Sequence, residues 1–258
     1  IENQENLGHY RTFIKLASLA EHDIVFFADQ DDKWLPDKTA ALQKVLLETD
    51  VAMVYGQSYL IDQNGQVIKE PKVSGECRER NLAWLLKKWP SGYQTAFRKS
   101  VLTDILQQQY TDFPGFDYHD VLFGMLAPLY GKVVCLDQLL DQHRIHQANV
   151  TQSASSLSFN KTRLSRINYL RKVISRYESV QKIAEERQIS EADHRQLARA
   201  LALTNLRLKL LQSRNPFWAL GLMFQIREYR TIKDFISDLV YTYSLNGVAR
   251  RLLKKFGR

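Results

Sequence analysis

Ile24-Val25-Phe26-Phe27-Ala28-Asp29-Gln30-Asp31-Asp32-Lys33-Trp34-Leu35-Pro36-Asp37-Lys38 is the stretch on which the reading of this 258-residue chain turns. The apolar run Ile24 to Phe27 has the length and composition of a buried strand, and Pro36 marks the opening of a helix. Between them stand three carboxylates within four residues, Asp29, Asp31 and Asp32. They therefore fall at the carboxyl end of a strand, where open α/β sheets bind ligands. Hard oxygen ligands in such a cluster suit Mg2+ or Mn2+, which in turn suit a diphosphate. The plainer reading is a solvated acidic turn capping the next helix, and for a bare Asp-x-Asp it would win. The strand before it, the extra Asp32 and the Trp-Leu-Pro-Asp-Lys tail favour a site.

Helix and strand alternate around this stretch. Residues 9–20 carry apolar side chains at helical spacing, strand 24–28 follows, and a helix is expected from about Pro36 to Glu48. Residues 51–61 are β-rich, and Asn64-Gly65 is a hairpin turn before Gln66-Val67-Ile68. Glu79 to Lys88 has a helical pattern that ends before Trp89-Pro90, and Ser91 to Phe97 is a loop entering a strand. Asp120 to Tyr130 is a helix stopped by Gly131, followed by short strands over Lys132–Leu136 and Leu139–His143. This alternation makes residues 1–150 an α/β domain.

The pattern changes after Thr151. A Ser-rich linker, Thr151 to Ser158, precedes helical stretches at about 160–187, 191–213 and 217–227, with Asn215-Pro216 as a break. The apolar segment Phe217 to Phe224 is far shorter than the ~20 residues a membrane-spanning helix needs. The last stretch, 231–258, has an apolar face at Ile232, Phe235, Ile236, Leu239, Val240 and Tyr243 and a cationic end around Arg250, Arg251, Lys254, Lys255 and Arg258. It has the pattern of a basic amphipathic helix lying in a membrane interface; a terminal helix packed on its neighbours has the same pattern. Residues 151–258 thus form a basic α-helical region, with membrane association as one expected role.

Charge divides the chain at the same place. Residues 1–150 hold 15 Lys/Arg against 20 Asp/Glu, net −5, and residues 151–258 hold 21 against 8, net +13. Such a basic region suits nucleic acid or an anionic membrane surface, and it is equally the pattern of the solvated side of a helical bundle; charge alone does not decide. Nucleic acid is not expected as a partner, because the Lys and Arg are spread around helices and no nucleic-acid motif appears. Cys77 and Cys135 match no metal or redox spacing and are expected to be buried thiols in a reducing compartment. The polar start at Ile1, without Met, suggests a fragment or a processed chain.

Three further clusters carry chemistry. Asp117-Tyr118-His119-Asp120 opens a helix, which places its carboxylates near the positive end of the helix dipole; most such clusters are only caps. In Asp141-Gln142-His143-Arg144-Ile145-His146, Arg144 and His146 fall two residues apart on one face of an extended segment. A lone His is more often structural, but a His and an Arg downstream of an acidic cluster fit a diphosphate site. Ser91 to Arg98, with Gly92, is either a substrate loop or an ordinary turn.

Taken in order, several segments resemble family 2 glycosyltransferases. They are Asn6-Leu7-Gly8, Phe26 to Lys38, Gly92 with Phe97-Arg98, His119-Asp120, and His143-Arg144-Ile145-His146-Gln147-Ala148-Asn149-Val150. The likeness is strongest to bacterial rhamnosyltransferase-like members that build cell-wall or capsular polysaccharide, and it covers roughly residues 3–151. It implies a GT-A-like (Rossmann-like) mixed sheet, an inverting mechanism and a nucleoside-diphosphate sugar donor, dTDP-rhamnose or a UDP-sugar. Asp29 and Asp31 match the family's metal-binding Asp-x-Asp pair, and His146 the late histidine that completes the metal site. Asp32 matches an acid that contacts metal or sugar, and Arg144 is positioned to hold the diphosphate. Asp120 matches the catalytic base, with His119 beside it. Trp34 and Gly92 are the remaining substrate-binding candidates.

The family usually begins with a strand and a nucleotide-binding segment that have no counterpart before Asn6, so an N-terminally truncated sheet is expected. The acceptor implied is a growing cell-surface polysaccharide or a lipid-linked glycan. The corresponding location is cytoplasmic, peripheral on the inner face of the plasma membrane. The competing reading is a non-catalytic membrane-surface scaffold derived from a degenerate transferase.

Overall fold

The computed structural model describes residues 3–48, 50–107, 113–146 and 162–245. The Ser-rich linker, the segment Gln147 to Val150 and the cationic end at 250–258 lie outside them. Contacts divide the chain into two compact units, Ile1–Gln147 with Ile183–Ile189, and Ala148–Lys182 with Ser190–Arg258.

The first unit is built on a seven-stranded mixed sheet. Helix α1 (Gly8–Leu19) precedes β1 (Ile24–Phe26), and the acidic turn leads into the two-residue strand β2 (Lys33–Trp34) and helix α2 (Lys38–Leu46). Then come β3 (Val51–Ile61), β4 (Val67–Lys69), β5 (Cys77–Arg80), the short helix α3 (Leu82–Leu85) and β6 (Thr95–Arg98). Helices α4 (Lys99–Gln107) and α5 (His119–Leu126) lead to β7 (Lys132–Arg144). The strands run in the order β1-β6-β3-β7-β2, with β4 on β3 and β5 on β7. Only β3 and β7 pair in parallel among the described strands; the other pairings are antiparallel.

The apolar pattern accounts for these positions. Val51 to Gly56 are all buried, as a strand covered on both faces requires. On one side α2 packs Leu42, Val45 and Leu46 against Val51, Val54, Ala96, Val134, Leu136 and Leu140. Elsewhere in the unit Phe27 meets Phe97 and Phe123, at ring distances of 5.7 and 5.6 Å. Gly131 is required by close approach: a Cβ there would stand 2.6 Å from the Asp50 carbonyl oxygen and 3.2 Å from the Cβ of Ala52. Arg98 ties the end of α2 to β3, its guanidinium donating to the carbonyls of Val51 (2.7 Å), Glu48 (2.7 Å) and Leu46.

Three expectations are corrected. The helix expected over 79–88 is a strand and a short helix, because Cys77 to Arg80 pair with Leu136 to Val133 and Asn81 caps a new start by accepting from the Trp84 amide. The two short strands after Gly131 are one strand, β7, whose irregular register against β3 absorbs the polar interruption at Asp137. Cys77 is exposed on β5, while Cys135 is buried as expected.

The second unit is helical, as expected: α6 (Arg163–Arg187), α7 (Glu191–Ser213), α8 (Pro216–Phe224) and α9 (Ile232–Thr242). Ser190, Asn215 and Thr231 cap α7, α8 and α9, each accepting a backbone amide. Asp238, fully buried on α9, accepts from Arg166 Nε (2.8 Å), Arg207 Nε (2.6 Å) and the Tyr229 hydroxyl (3.1 Å). No helix among the described residues is long and apolar enough to cross a membrane.

Candidate active site

The acidic turn leaves β1 at Phe26 and returns as β2, which pairs antiparallel with the far half of β7: Lys33 opposite Gln142, Trp34 opposite Asp141. That pairing sets the carboxylates against the His-Arg-Ile-His segment. Asp31 Oδ2 lies 2.7 Å from His146 Nε2. Asp32 faces His143 Nδ1 at 2.9 and 3.1 Å and accepts from the Arg144 amide at 2.9 Å. Its carboxylate is wholly buried and raises the His143 pKa, chiefly through this hydrogen bond. Arg144 donates from Nε to the Asp31 carbonyl (3.1 Å) and from Nη1 to the carbonyls of Asp62 (3.1 Å) and Gln63 (2.8 Å). In this arrangement Arg144 clamps the turn and the β3–β4 connection to the end of β7.

Asp29 has a pKa pushed up by burial and by the charges of Asp32 and Asp31. Its charge also reaches Asp120, whose carboxyl is pushed up to about 6, mainly by burial. The Asp120 carboxylate accepts from its neighbour Val121's amide at 2.7 Å and from the Gly92 amide. Thus the turn after β1 and the start of α5 act on one another electrostatically, although 91 positions separate Asp29 from Asp120.

His119, beside Asp120, points elsewhere. It is 3% exposed, lies flat on Phe13 with ring centroids 3.9 Å apart, and meets Phe27 edge-on. Neither ring nitrogen has a hydrogen-bond partner among the described residues. Burial lowers its pKa to about 3, so the ring is neutral at physiological pH. A Cβ on Gly92 would collide with His119 Nε2 and stand 2.9 Å from Cε1, so glycine is what lets the two segments meet. Trp34 is partly exposed on β2 and carries the Lys38 ammonium 4.1 Å from its ring centre.

Sequence reasoning missed a buried network beneath these groups. Lys38, at the start of α2 and fully buried, pairs with the equally buried Asp141 and donates to the Tyr93 carbonyl at 2.5 Å. Burial pulls the lysine pKa down and pushes that of Asp141 up, while the pairing opposes both shifts. Tyr93, next to Gly92, stacks on His143 at 4.6 Å and 7°. Two signals were available. Lys38 closes the decisive stretch, and Asp141 and His143 share one face of β7 by the two-residue period.

The donor set fits a hard divalent cation in kind: carboxylate oxygens and one imidazole, with crowding at Asp29 that a cation would relieve. Among the described residues, however, no group of three or more His, Cys, Asp or Glu is arranged to hold a metal ion. Asp31 and His146, two of the expected ligands, meet directly, and Asp32 is held by His143 and the Arg144 amide.

The family profile described as Glycosyl transferase family 2 matches residues 1–125, a span that includes the acidic turn, Gly92 and Asp120 but ends before β7. A curated relative, an uncharacterized glycosyltransferase of Nostoc sp., is 26% identical over 159 residues, 59% of this chain and 49% of that protein. The chain therefore spans about half the length of this relative. Among solved structures, S. aureus TarS 1-349 in complex with UDP-GlcNAc aligns over 91% of this chain and 70% of its own, at 13% identity and a TM-score of 0.47. TarS 1-349 without that ligand in its description aligns at 13% identity and a TM-score of 0.41, over 91% and 68% of the two chains.

Proposed function

We propose that this chain is the catalytic part of an inverting glycosyltransferase that moves a sugar from a nucleoside diphosphate to a cell-surface polysaccharide or a lipid-linked glycan. The observation that carries this reading is the convergence on Asp120. Its carboxyl is held by the amides of Val121 and Gly92, has its pKa pushed up to about 6, mainly by burial, and feels the charge of Asp29 in the acidic turn. A general base works best with a pKa near the operating pH and a fixed orientation. Asp120 takes the proton of the acceptor hydroxyl as that oxygen attacks the anomeric carbon opposite the leaving diphosphate. His119, buried and neutral, is a wall for Gly92 rather than a proton carrier. Asp29, Asp31 and His146 are the residues that would hold Mg2+ or Mn2+. When bound, the ion supplies neutralisation of charge on the departing diphosphate. Trp34 and the Gly92 loop face the donor, and dTDP-rhamnose is favoured by the resemblance, with UDP-sugars the alternative.

Calorimetric titration with UDP and dTDP, with and without Mn2+, tests the reading. Metal-dependent nucleotide binding should disappear in Asp31→Ala and persist in Asp120→Asn. Transfer should fall by about 10²–10⁴-fold in Asp120→Asn, the usual contribution of a general base. Unchanged nucleotide binding in Asp31→Ala would overturn the assignment of the site.

A further inference from the structure

Helix α8, Pro216-Phe-Trp-Ala-Leu-Gly-Leu-Met-Phe224, contains no charged residue, yet the described residues cover only one of its sides. Leu222 and Ala219 pack into a cluster with Leu203, Leu210, Tyr229 and Phe235. The opposite side presents Phe217, Leu220 and Phe224, spaced i, i+3 and i+7, at 77%, 52% and 84% exposure. The two phenylalanines are the most exposed large apolar side chains among the described residues. A contiguous face of this kind marks a docking surface, whereas a single exposed Leu would need no explanation.

The surroundings specify the occupant. From His194 to Arg227 there is no Asp or Glu, while six Arg and Lys occur. Arg207 is neutralised by Asp238. Lys209, Arg214 and Arg227 are exposed, the last two just outside the ends of α8, and Lys209 extends over the Trp218 ring at 5.5 Å. An apolar ridge with a cationic rim complements an anionic bilayer: rings enter the acyl boundary and long basic side chains reach phosphate headgroups. At a rise of about 1.5 Å per residue the helix is too short to span, so it would lie in the plane of the interface.

We propose that α8 is the element by which this chain docks on an anionic phospholipid bilayer, with Phe217, Leu220 and Phe224 inserted and Arg214 and Arg227 on headgroups. The proposal does not depend on the transferase reading. It moves the membrane contact from the stretch 231–258 to the helix before it.

Co-sedimentation of the full chain with vesicles of phosphatidylcholine alone, or with added phosphatidylglycerol, tests it. The chain should bind only the anionic vesicles. Phe217→Ser with Phe224→Ser should lower the partition by about tenfold or more, as loss of two inserted rings requires. Arg214→Glu with Arg227→Glu, or high salt, should weaken binding as well. Both pairs lie outside the core and should keep the parent's circular dichroism; Phe224→Ser alone is the milder variant. Undiminished vesicle binding by the folded double-serine variant overturns the proposal. So does failure of the parent to bind anionic vesicles. A parent that sediments as a dimer, and becomes monomeric in the double-serine variant, would instead make the face a protein interface.

Discussion

Asp120 and Gly92 show how much of the candidate chemistry rests on single residues. With its folded pKa at about 6 and an ordinary value of 3.8, Asp120 binds its proton more tightly in the folded state. The stability it contributes is therefore complete below the unfolded value and is lost as pH rises through the folded one. Activity needs the opposite form, the carboxylate. The two signs predict a trade-off. Transfer should rise with pH along a limb centred near 6, read from a pH–rate profile. Asp120→Asn should lose most of the transfer activity yet be more stable than the parent above that pH, by up to about 3 kcal/mol. Urea midpoints above and below it give the check, and the gain should vanish at the acid end. Gly92 is a steric requirement, since a methyl there meets His119, which Phe13 and Phe27 hold in place. Gly92→Ala should lower stability by about 1–3 kcal/mol, the usual cost of overpacking. It should also slow transfer, because the Gly92 amide would leave Asp120. Adding His119→Ala should recover part of the stability in thermal unfolding, and no recovery would show that the ring is not the obstacle.

At the scale of elements, the site depends on β7 and on the first turn of α2. Lys38 and Asp141 are fully buried and join these two elements to the carbonyl of Tyr93, whose ring in turn rests on His143. Removing one partner of a buried pair leaves an uncompensated charge, whereas removing both need not destabilise. Lys38→Met should therefore cost about 3–5 kcal/mol, and Lys38→Met with Asp141→Leu should regain most of it in denaturant titration. The same elements show what was legible in the sequence. The β1 run, the acidic turn, the strand 51–61 and the four C-terminal helices follow from periodicity and breakers, because their local and tertiary preferences agree. The segment Cys77 to Arg80 was misread because its conformation is set by pairing with β7, a distant partner that local pattern does not encode. Asp29, Asp31, Asp32, Asp120 and His146 could be nominated from spacing and resemblance. Their division of labour could not, since it depends on which side chain the tertiary fold brings to each. Asp32 meets His143, and Arg144 reaches backbone carbonyls of the β3–β4 turn. Lys38 was hidden by its own type, because a lysine is expected at the surface unless a buried partner is known.

At the scale of the whole molecule, an acidic α/β part and a basic helical part are each organised by their own core. In the helical unit a buried charged cluster stands beside the apolar one. Asp238 on α9 gathers Arg166 from α6, Arg207 from α7 and the Tyr229 hydroxyl. Breaking that cluster at Asp238 would leave two guanidinium groups, each about nine-tenths buried, with Asp234, 3.5 Å from Arg166, as the nearest remaining counter-charge. Asp238→Ala should cost the helical unit about 3–5 kcal/mol. The loss should be local, since domains with separate cores unfold as separate units. Hydrogen exchange followed by mass spectrometry distinguishes the cases. Amides of α7 and α9 should lose protection in the variant while those of β3 and β7 keep the parent's rates. Equal loss in both regions would show that the two units unfold as one cooperative structure, with the arginine cluster supporting the sheet as well as the helices.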